Sequence, residues 1–166
     1  LIHTFVRTGE LRGAKWEEFD FEEKVWTIPA DRMKMDNEHL VPLTNQVIAL
    51  LIALKKINGK REYVFASPQR PRQPLSENAI LSLLYRMGYK GRATGHGFRA
   101  TASTTLNEMG YNPDAIERQL AHSEQNKVKA AYNRGEYLDE RIKLMRDWSN
   151  LIEVQSQKVV SIRRTK

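Results

Sequence analysis

The chain has 166 residues, 40% of them hydrophobic, which predicts one folded domain with a core of its own. Its net charge of +7 favours a polyanionic partner, because basic surface attracts and neutralises phosphates, although a basic protein without such a partner remains the alternative. The lack of cysteine excludes a disulfide framework and a thiolate metal site, and no run of about 18 apolar residues predicts a membrane-spanning helix.

Residues 1–16, LIHTFVRTGELRGAKW, predict the end of one helix and the start of another. The run begins in mid-pattern without an initiator methionine, so we expect the chain to be a piece of a longer protein. Thr8 and Gly9 interrupt the apolar run and can cap a short helix that carries Glu10. Arg7 lies at this break, either as a solvated loop residue or as a rigidly held guanidinium whose donors face an anion.

Residues 17–43 change to an alternating pattern and predict three short antiparallel strands, within FDFEE, KVWTIP and HLVPL. Between the second and the third, the Asp36-Asn37 pair is typical of a turn, which places Lys34 at the tip of a hairpin. Lys34 either keeps the sheet edge soluble or lies on a mobile tip that can enter a groove and donate a proton there.

Two helices flank the longest irregular stretch, residues 58–75. Thr44 caps a core helix over residues 44–57, and Ser76 caps a second helix that ends at Gly88. In the second helix, the residues expected to face the core are Ile80, Leu83, Leu84 and Met87.

Three arginines of the irregular stretch, Arg61, Arg70 and Arg72, are candidates for DNA binding. They could make phosphate contacts that do not depend on base sequence. The equally simple alternative is that they are solvated loop residues.

Residues 94–137 contain four side chains that could bind or attack a phosphate: His96, Arg99, His122 and Tyr132. A helix that begins around residues 96–98 presents unpaired amides and the positive end of its dipole, which makes an anion site. His96 and Arg99, three residues apart, share one face of that helix. Either histidine alone would more often be a structural residue.

Asn112-Pro113 begins a further helix that ends at His122, and VKAAYNRGEYL predicts a short helix that carries Tyr132. A metal site is disfavoured because no His-x-x-x-His pair, cysteine or carboxylate cluster completes a ligand set. A serine or cysteine nucleophile is disfavoured too, since cysteine and the Gly-x-Ser-x-Gly elbow are both absent. Tyrosine remains as the nucleophile.

Taken in order, these motifs resemble the signature of the tyrosine recombinases, and most of all that of bacterial prophage integrases. The resemblance rests on VRTGELRGAKW, the lysine ahead of VPL, HGFR, LAH and AAYNR, and it spans nearly the whole chain. It implies a mainly α-helical fold with a small three-stranded antiparallel sheet. It also implies that residues 1–166 are the C-terminal catalytic domain, without the upstream DNA-binding domains.

The resemblance assigns phosphate binding to three residues and a supporting role to a fourth. Arg7 and Arg99 would clamp the non-bridging oxygens of the scissile phosphate, and His122 would hydrogen-bond to it. Glu10 matches the acidic residue of the first arginine motif. It would orient the arginines rather than bind the phosphate itself.

The resemblance assigns the covalent chemistry to three residues. Tyr132 would attack the phosphorus, His96 would assist proton transfer at the tyrosine, and Lys34 would protonate the leaving 5′-oxygen. The interval from His122 to Tyr132 suits the prophage branch and is one residue longer than in the chromosome-dimer-resolving branch, so Tyr137 stays a second candidate.

The implied function is site-specific DNA recombination in prophage integration and excision, through a covalent 3′-phosphotyrosyl intermediate and without metal or ATP. The implied partners are double-stranded DNA attachment sites and accessory directionality or DNA-bending proteins. We expect a monomer in isolation and a tetramer on paired sites, in the cytoplasm at the bacterial nucleoid.

The C-terminal segment YLDERIKLMRDWSNLIEV predicts a helix followed by a basic tail. Its predicted apolar face consists of Leu138, Ile142, Met145, Trp148 and Leu151. This helix packs on its own core or, as the resemblance implies, against a neighbouring protomer. We expect residues 150–166 to be mobile or exchanged.

Two other functions are compatible with the residues. A type IB topoisomerase would use similar chemistry to relax supercoils, but the motif spacing and the small size disfavour it. A non-catalytic DNA-binding module would keep the fold without the reaction, but the full set of six reactive side chains disfavours it.

Overall fold

The computed structural model describes residues 1–34, 36–122 and 137–164, and for residues 159–164 it describes the backbone alone. The strands are β1 (Phe19–Asp20), β2 (Val25–Ile28) and β3 (His39–Pro42). The helices are α1 (Thr8–Arg12), α2 (Asn45–Asn58), α3 (Ala79–Arg86), α4 (Gly95–Glu108), α5 (Pro113–Gln119) and α6 (Leu138–Arg164). The predicted mainly helical fold with a small antiparallel sheet is confirmed.

The sheet has the order β1-β2-β3, and both pairs of strands are antiparallel. Trp26 of β2 lies opposite Phe19 and Val41, and its ring stacks on Phe19 with the centroids 5.1 Å apart. Because Trp26 and Ile28 alternate with more exposed neighbours, one face of β2 is buried in the core. The segment between β2 and β3, which carries Lys34, therefore begins at a strand that core packing holds in place.

The core consists of two hydrophobic clusters. The first joins the sheet to α2 through residues such as Trp26 and Val47, and the second joins α4, α5 and α6 through residues such as Leu106. Phe5 belongs to the second cluster and Val6 to the first, so the chain crosses between them just before α1. Phe5 adopts a φ of 35°, a left-handed conformation that is uncommon outside glycine. We call the boundary crossed by residues 5–7 the seam.

The helices that flank the irregular stretch were predicted in part. Thr44 caps α2 through its side chain, as expected. The expectation for Ser76 was wrong, because α3 begins at Ala79 and the Ser76 carbonyl only closes the preceding turn. Leu83 and Met87 are 48% and 60% exposed rather than inward-facing, since this short helix buries only the side that carries Leu84.

Helix α6 is longer than predicted, and its buried face was predicted in part, since Met145 and Trp148 are buried as expected. Ile142 is 46% exposed, whereas Leu144, one turn after Arg141, is fully buried. The inward stripe consists of Arg141, Leu144, Met145 and Trp148, at helical spacing i, i+3, i+4 and i+7. An arginine thus takes an inward position. No helix among the described residues combines the length and apolar character that a membrane span requires.

Candidate active site

Arg7 lies at the start of α1, where Glu10 fixes it. The backbone N–H of Arg7 donates to Glu10 Oε2 at 2.8 Å, and Arg7 Nη1 donates to Glu10 Oε1 at 2.7 Å. The Glu10 side chain is 5% exposed and the Arg7 side chain 31%. Arg7 Nη2 reaches across the seam and donates to the carbonyl of Ala121 at 2.9 Å. Glu10 therefore orients a guanidinium that still has an accessible side.

Arg99 lies in the second turn of α4. The helix begins at Gly95 after a Thr94 cap, which matches the predicted helix start. A Cβ on Gly95 would lie 2.3 Å from Thr8 Cγ2, so glycine lets this helix start approach α1. Arg99 is 6% exposed, and its Nη1 and Nη2 donate to the carbonyls of Phe5 and Leu120, each at 2.6 Å.

The charge of Arg99 is held mainly by carbonyl groups. Among the described residues, no carboxylate forms an ion pair with it. Burial and the nearby charge of Arg7 lower the pKa of Arg99, while the more distant Glu10 and Glu117 act in the opposite direction. The site therefore keeps a positive charge that an anion could neutralise.

The two guanidinium groups meet at consecutive carbonyls. Arg99 donates to Leu120 and Arg7 to Ala121, at the end of α5. Ala121 has a φ of 50°, so a second strained residue borders the site. We call Arg7 and Arg99 the arginine pair. Two like charges held side by side favour binding of an anion such as a phosphodiester.

His122 lies beside the arginine pair. Its Nδ1 is 2.6 Å from Glu117 Oε2, and its Nε2 is 3.3 Å from Nη2 of Arg99. With Nδ1–H donating to Glu117, Nε2 of neutral His122 accepts from Arg99. A proton on Nε2 would turn that atom into a donor, which could hydrogen-bond to a phosphate oxygen.

The other predicted site residues are either exposed or outside the described part of the chain. His96 is exposed on the first turn of α4, one turn before Arg99, and Lys34 is exposed between β2 and β3. In the described part of the chain, no hydrogen bond or ion pair connects either residue to the arginine pair. Tyr132 falls outside the described residues. The hydroxyl of Tyr137 lies 3.5 Å from Asp114 Oδ2, at the other end of α5 from His122.

Arg61, Arg70 and Arg72 are exposed on the irregular stretch, as both of their interpretations require. The stretch is fastened next to α1, because Arg12 Nη1 donates to the carbonyl of Leu75 at 3.0 Å. Within the described ranges, no hydrogen bond or ion pair links the three arginines to the arginine pair. Their contact with DNA stays a prediction.

Comparison with known proteins shows the family. The model of the "Phage integrase family" matches residues 1–138. The chain belongs to this family. It is 43% identical over 150 residues to prophage integrase IntA of Escherichia coli (strain K12), which covers 90% of this chain and 36% of that protein. It is 44% identical over 175 residues to the integrase of Enterobacteria phage P4, covering 96% of this chain and 40% of that one.

The chain thus spans about two fifths of the length of these integrases. Solved structures agree on the fold. The XerA recombinase matches with a TM-score of 0.60 at 19% identity, over 81% of this chain and 54% of that one. The Tn1549 transposon integrase, in complex with circular intermediate DNA, matches with a TM-score of 0.53 at 19% identity, over 81% and 55%. Family and fold identify a tyrosine-type recombinase catalytic domain.

Several groups of this integrase site were not predicted from its motifs. The carbonyls of Phe5, Leu120 and Ala121 hold the arginines, and side-chain patterns carry no signal for backbone acceptors. Glu117, five residues before His122, could have been suspected as a partner for the histidine. Among the described residues, no group of three or more His, Cys, Asp or Glu side chains is arranged to hold a metal.

Proposed function

We propose that this domain cleaves and rejoins DNA at specific sites through a covalent 3′-phosphotyrosyl intermediate, in prophage integration and excision. The observation that carries the proposal is the arginine pair, in which residues 7 and 99 bind neighbouring carbonyls at the end of α5. Integrases of prophages and phages are among its relatives, and a fold relative was solved with circular intermediate DNA. The proposed substrate is a double-stranded attachment site.

The arginine pair would act where negative charge develops. A phosphodiester under attack gains charge on its equatorial oxygens as it becomes five-coordinate, and guanidinium groups stabilise that charge without reorganising. A single arginine on a transferring phosphoryl group contributes on the order of 10³ to 10⁵ in rate. Two arginines can therefore supply the stabilisation that a metal ion supplies elsewhere, and we propose that neither metal nor ATP is required.

The proton transfers would involve Tyr132, His96 and Lys34. Free tyrosine has a pKa of about 10, so its phenol needs a base, and His96 would accept the proton as the phenolate oxygen bonds to phosphorus. The P–O5′ bond breaks, and Lys34 protonates the departing oxygen. The new phosphotyrosyl ester keeps the energy of the phosphodiester. A 5′-hydroxyl can then attack that ester and release tyrosine.

The proposed assembly is a monomer in isolation and a tetramer on two paired sites, with accessory directionality or DNA-bending proteins, at the bacterial nucleoid. The C-terminal segment 150–166 would be mobile in the monomer or exchanged between protomers; residues 165 and 166 lie outside the described residues, and for residues 159–164 only the backbone is described. The exposure of residues 153–158 supports this. Slow amide hydrogen exchange throughout this segment in dilute monomer would count against it.

A nicked suicide duplex tests the proposed function. The duplex carries the attachment-site core read from the genomic junctions of the parent element, and its nick lets the cleaved end diffuse away. We expect the parent protein and the matched control Tyr137→Phe to form a covalent protein–DNA adduct, and Tyr132→Phe to form none. Binding without an adduct in the parent would instead support a DNA-binding module. Efficient relaxation of a supercoiled plasmid that lacks the site would support a topoisomerase.

A further inference from the structure

A buried polar cluster lies behind the arginine pair. Arg141 of α6 is 4% exposed, and Gln119 of α5 and His39 of β3 are also buried. Arg141 Nε and Nη2 donate to Gln119 Oε1 at 3.0 and 2.8 Å, and Nη2 also donates to the carbonyl of Leu40. The His39 ring lies close enough to Arg141 and Arg118 for both charges to lower its pKa, after burial, which is the largest cause. One arginine thus ties α6, α5 and β3 together.

Gln119 is directly followed by the two residues that hold the arginine pair. The carbonyl of Leu120 accepts from Arg99, and the carbonyl of Ala121 accepts from Arg7. Helix α5 has only seven residues, so its own hydrogen bonds fix its end weakly. The position of these carbonyls therefore depends on tertiary contacts, which are the packing of Leu120 and Ala121 on the two core clusters and the hydrogen bonds that hold Gln119.

Burying the charged side chain of Arg141 in the core has a large desolvation cost. Arg141 is the first residue of an inward stripe that is otherwise apolar, with Leu144, Met145 and Trp148, and no carboxylate among the described residues forms an ion pair with it. Burial, followed by the charge of Arg118, lowers the pKa of Arg141 to about 10. A buried cation without a counter-charge is a poor device for stability alone, because an apolar side chain of similar size avoids the desolvation cost.

We propose that Arg141 is a positioning residue for the reaction: by holding Gln119, it fixes the carbonyls of Leu120 and Ala121 and so sets the geometry of the arginine pair. This inference rests on the proposed function of that pair. It assigns a role in the reaction to a buried residue that, among the described residues, forms hydrogen bonds with Gln119 and Leu40 rather than with the arginine pair. Small displacements of charge-stabilising groups are costly, since a shift of about 1 Å can slow a reaction by about 10².

Cleavage of the suicide duplex by three variants tests the inference. Arg141→Met removes the donors and keeps much of the volume, and Arg141→Lys keeps a cation. Leu144→Ala, one turn along the same buried stripe, is the control for lost stability. At equal folded fraction and saturating protein, we expect Arg141→Met to be slower than the parent by roughly 10-fold to 10²-fold. Arg141→Lys should recover part of this loss, and Leu144→Ala should stay within about threefold of the parent.

A substrate with a methylphosphonate at the scissile position separates positioning from general damage. It lacks one charged non-bridging oxygen, which reduces the charge that the arginine pair must stabilise. We expect the deficit of Arg141→Met relative to the parent to shrink on this substrate. An equal deficit on both substrates, or equal slowing by Arg141→Met and Leu144→Ala, overturns the inference while the adduct formed by the parent upholds the proposed function.

NMR spectroscopy of the arginine side chains tests the inference even if the parent protein forms no adduct. In ¹⁵N-labelled protein, the Nε–H signals of Arg7 and Arg99 are assigned by their lysine variants. We expect Arg141→Met to shift or broaden both signals and Leu144→Ala to leave them in place. Unchanged signals in Arg141→Met would overturn the inference, independently of the fate of the proposed function.

Discussion

The arginine pair and the connection between β2 and β3 are two parts of one proposed site, but they are built in opposite ways. Arg99 is buried and held by carbonyls at 2.6 Å, and Arg7 is held by Glu10 at 2.7 Å. Lys34 is exposed, and no hydrogen bond holds it within the described part of the chain. The charge-binding groups are thus in place without DNA, which is what electrostatic stabilisation of a transition state requires. The proposed proton donor has no comparable hydrogen bonds among the described residues.

The largest effect should come from Arg99→Lys. Lysine has one ammonium group on a shorter side chain, so it cannot donate to the carbonyls of both Phe5 and Leu120. The loss of these hydrogen bonds should lower the free energy of unfolding by about 2–4 kcal/mol. Cleavage of the suicide duplex should fall by at least about 10³. Urea denaturation and single-turnover cleavage measure the two effects.

The variant to compare with Arg99→Lys is Arg7→Lys. The Arg7 side chain is 31% exposed, whereas Arg99 is buried. Arg7→Lys should slow cleavage comparably but lower the free energy of unfolding by less, because fewer buried acceptors lose a donor. Equal losses of stability in the two variants would contradict the contrast between a buried and a half-exposed arginine.

Lys34→Ala should affect chemistry without affecting folding. Loss of a general acid should slow cleavage by about 10² to 10⁴, whereas the free energy of unfolding should change by no more than about 0.5 kcal/mol at this exposed position. A 5′-bridging phosphorothiolate substrate should restore the rate, because a thiolate leaves without a proton.

The control for this prediction is Lys56→Ala, which removes an exposed lysine from α2. It should cleave both substrates like the parent. A Lys34→Ala variant as slow on the sulfur-containing substrate as on the normal one would assign Lys34 a role other than proton donation.

The pH dependence of stability should come from the polar cluster behind the arginine pair. Burial, followed by the charges of Arg141 and Arg118, lowers the pKa of His39 to about 3, while an unfolded histidine has a pKa of about 6.5. As the pH falls below 6.5, the unfolded state therefore binds the proton first. Stability decreases from there towards pH 3, by about 2 kcal/mol between pH 7 and pH 5.

Urea denaturation of the parent and of His39→Gln at both pH values isolates this contribution. His3, whose pKa is also lowered by burial, contributes the same slope to both proteins. The parent should lose more stability than the variant on acidification. Identical losses would mean that His39 accepts a proton in the folded protein as easily as in the unfolded one.

Local chemistry explains which parts of the fold could be predicted from the sequence. The Thr44 cap, the alternation around Trp26 and a helix start near His96 depend on neighbours in the chain; all three are confirmed, with α4 beginning at Gly95, one residue before the predicted start. The buried face of α6 depends on how that helix is rotated against α5 and β3. Helical periodicity favoured Ile142 over Leu144 and had no reason to turn Arg141 inward.

The candidate site divides in the same way. The family resemblance assigned Arg7 and Arg99 to one phosphate, whereas the residues alone left Arg7 open between a solvated loop residue and a held guanidinium. The carbonyls that hold the pair come from Phe5, Leu120 and Ala121, and two of these residues have positive φ. Phenylalanine and alanine give no sequence signal of such a conformation, unlike glycine or asparagine, so this half of the site became visible only in three dimensions.

The smallest effect should come from Glu10→Gln, which tests how firmly Arg7 must be held. The amide keeps an oxygen for the backbone N–H of Arg7 but loses the charge that strengthens the bond to Nη1 at 2.7 Å. Since a charge-assisted bond is roughly twice as strong as a neutral one, cleavage should slow by about tenfold. The control Glu77→Gln breaks only a surface ion pair with Arg12 and should cleave at the parent rate. If Glu10→Gln also cleaved at the parent rate, Arg7 would be positioned well enough by the Ala121 carbonyl alone, and the rigidity of the pair would come from the end of α5 rather than from α1.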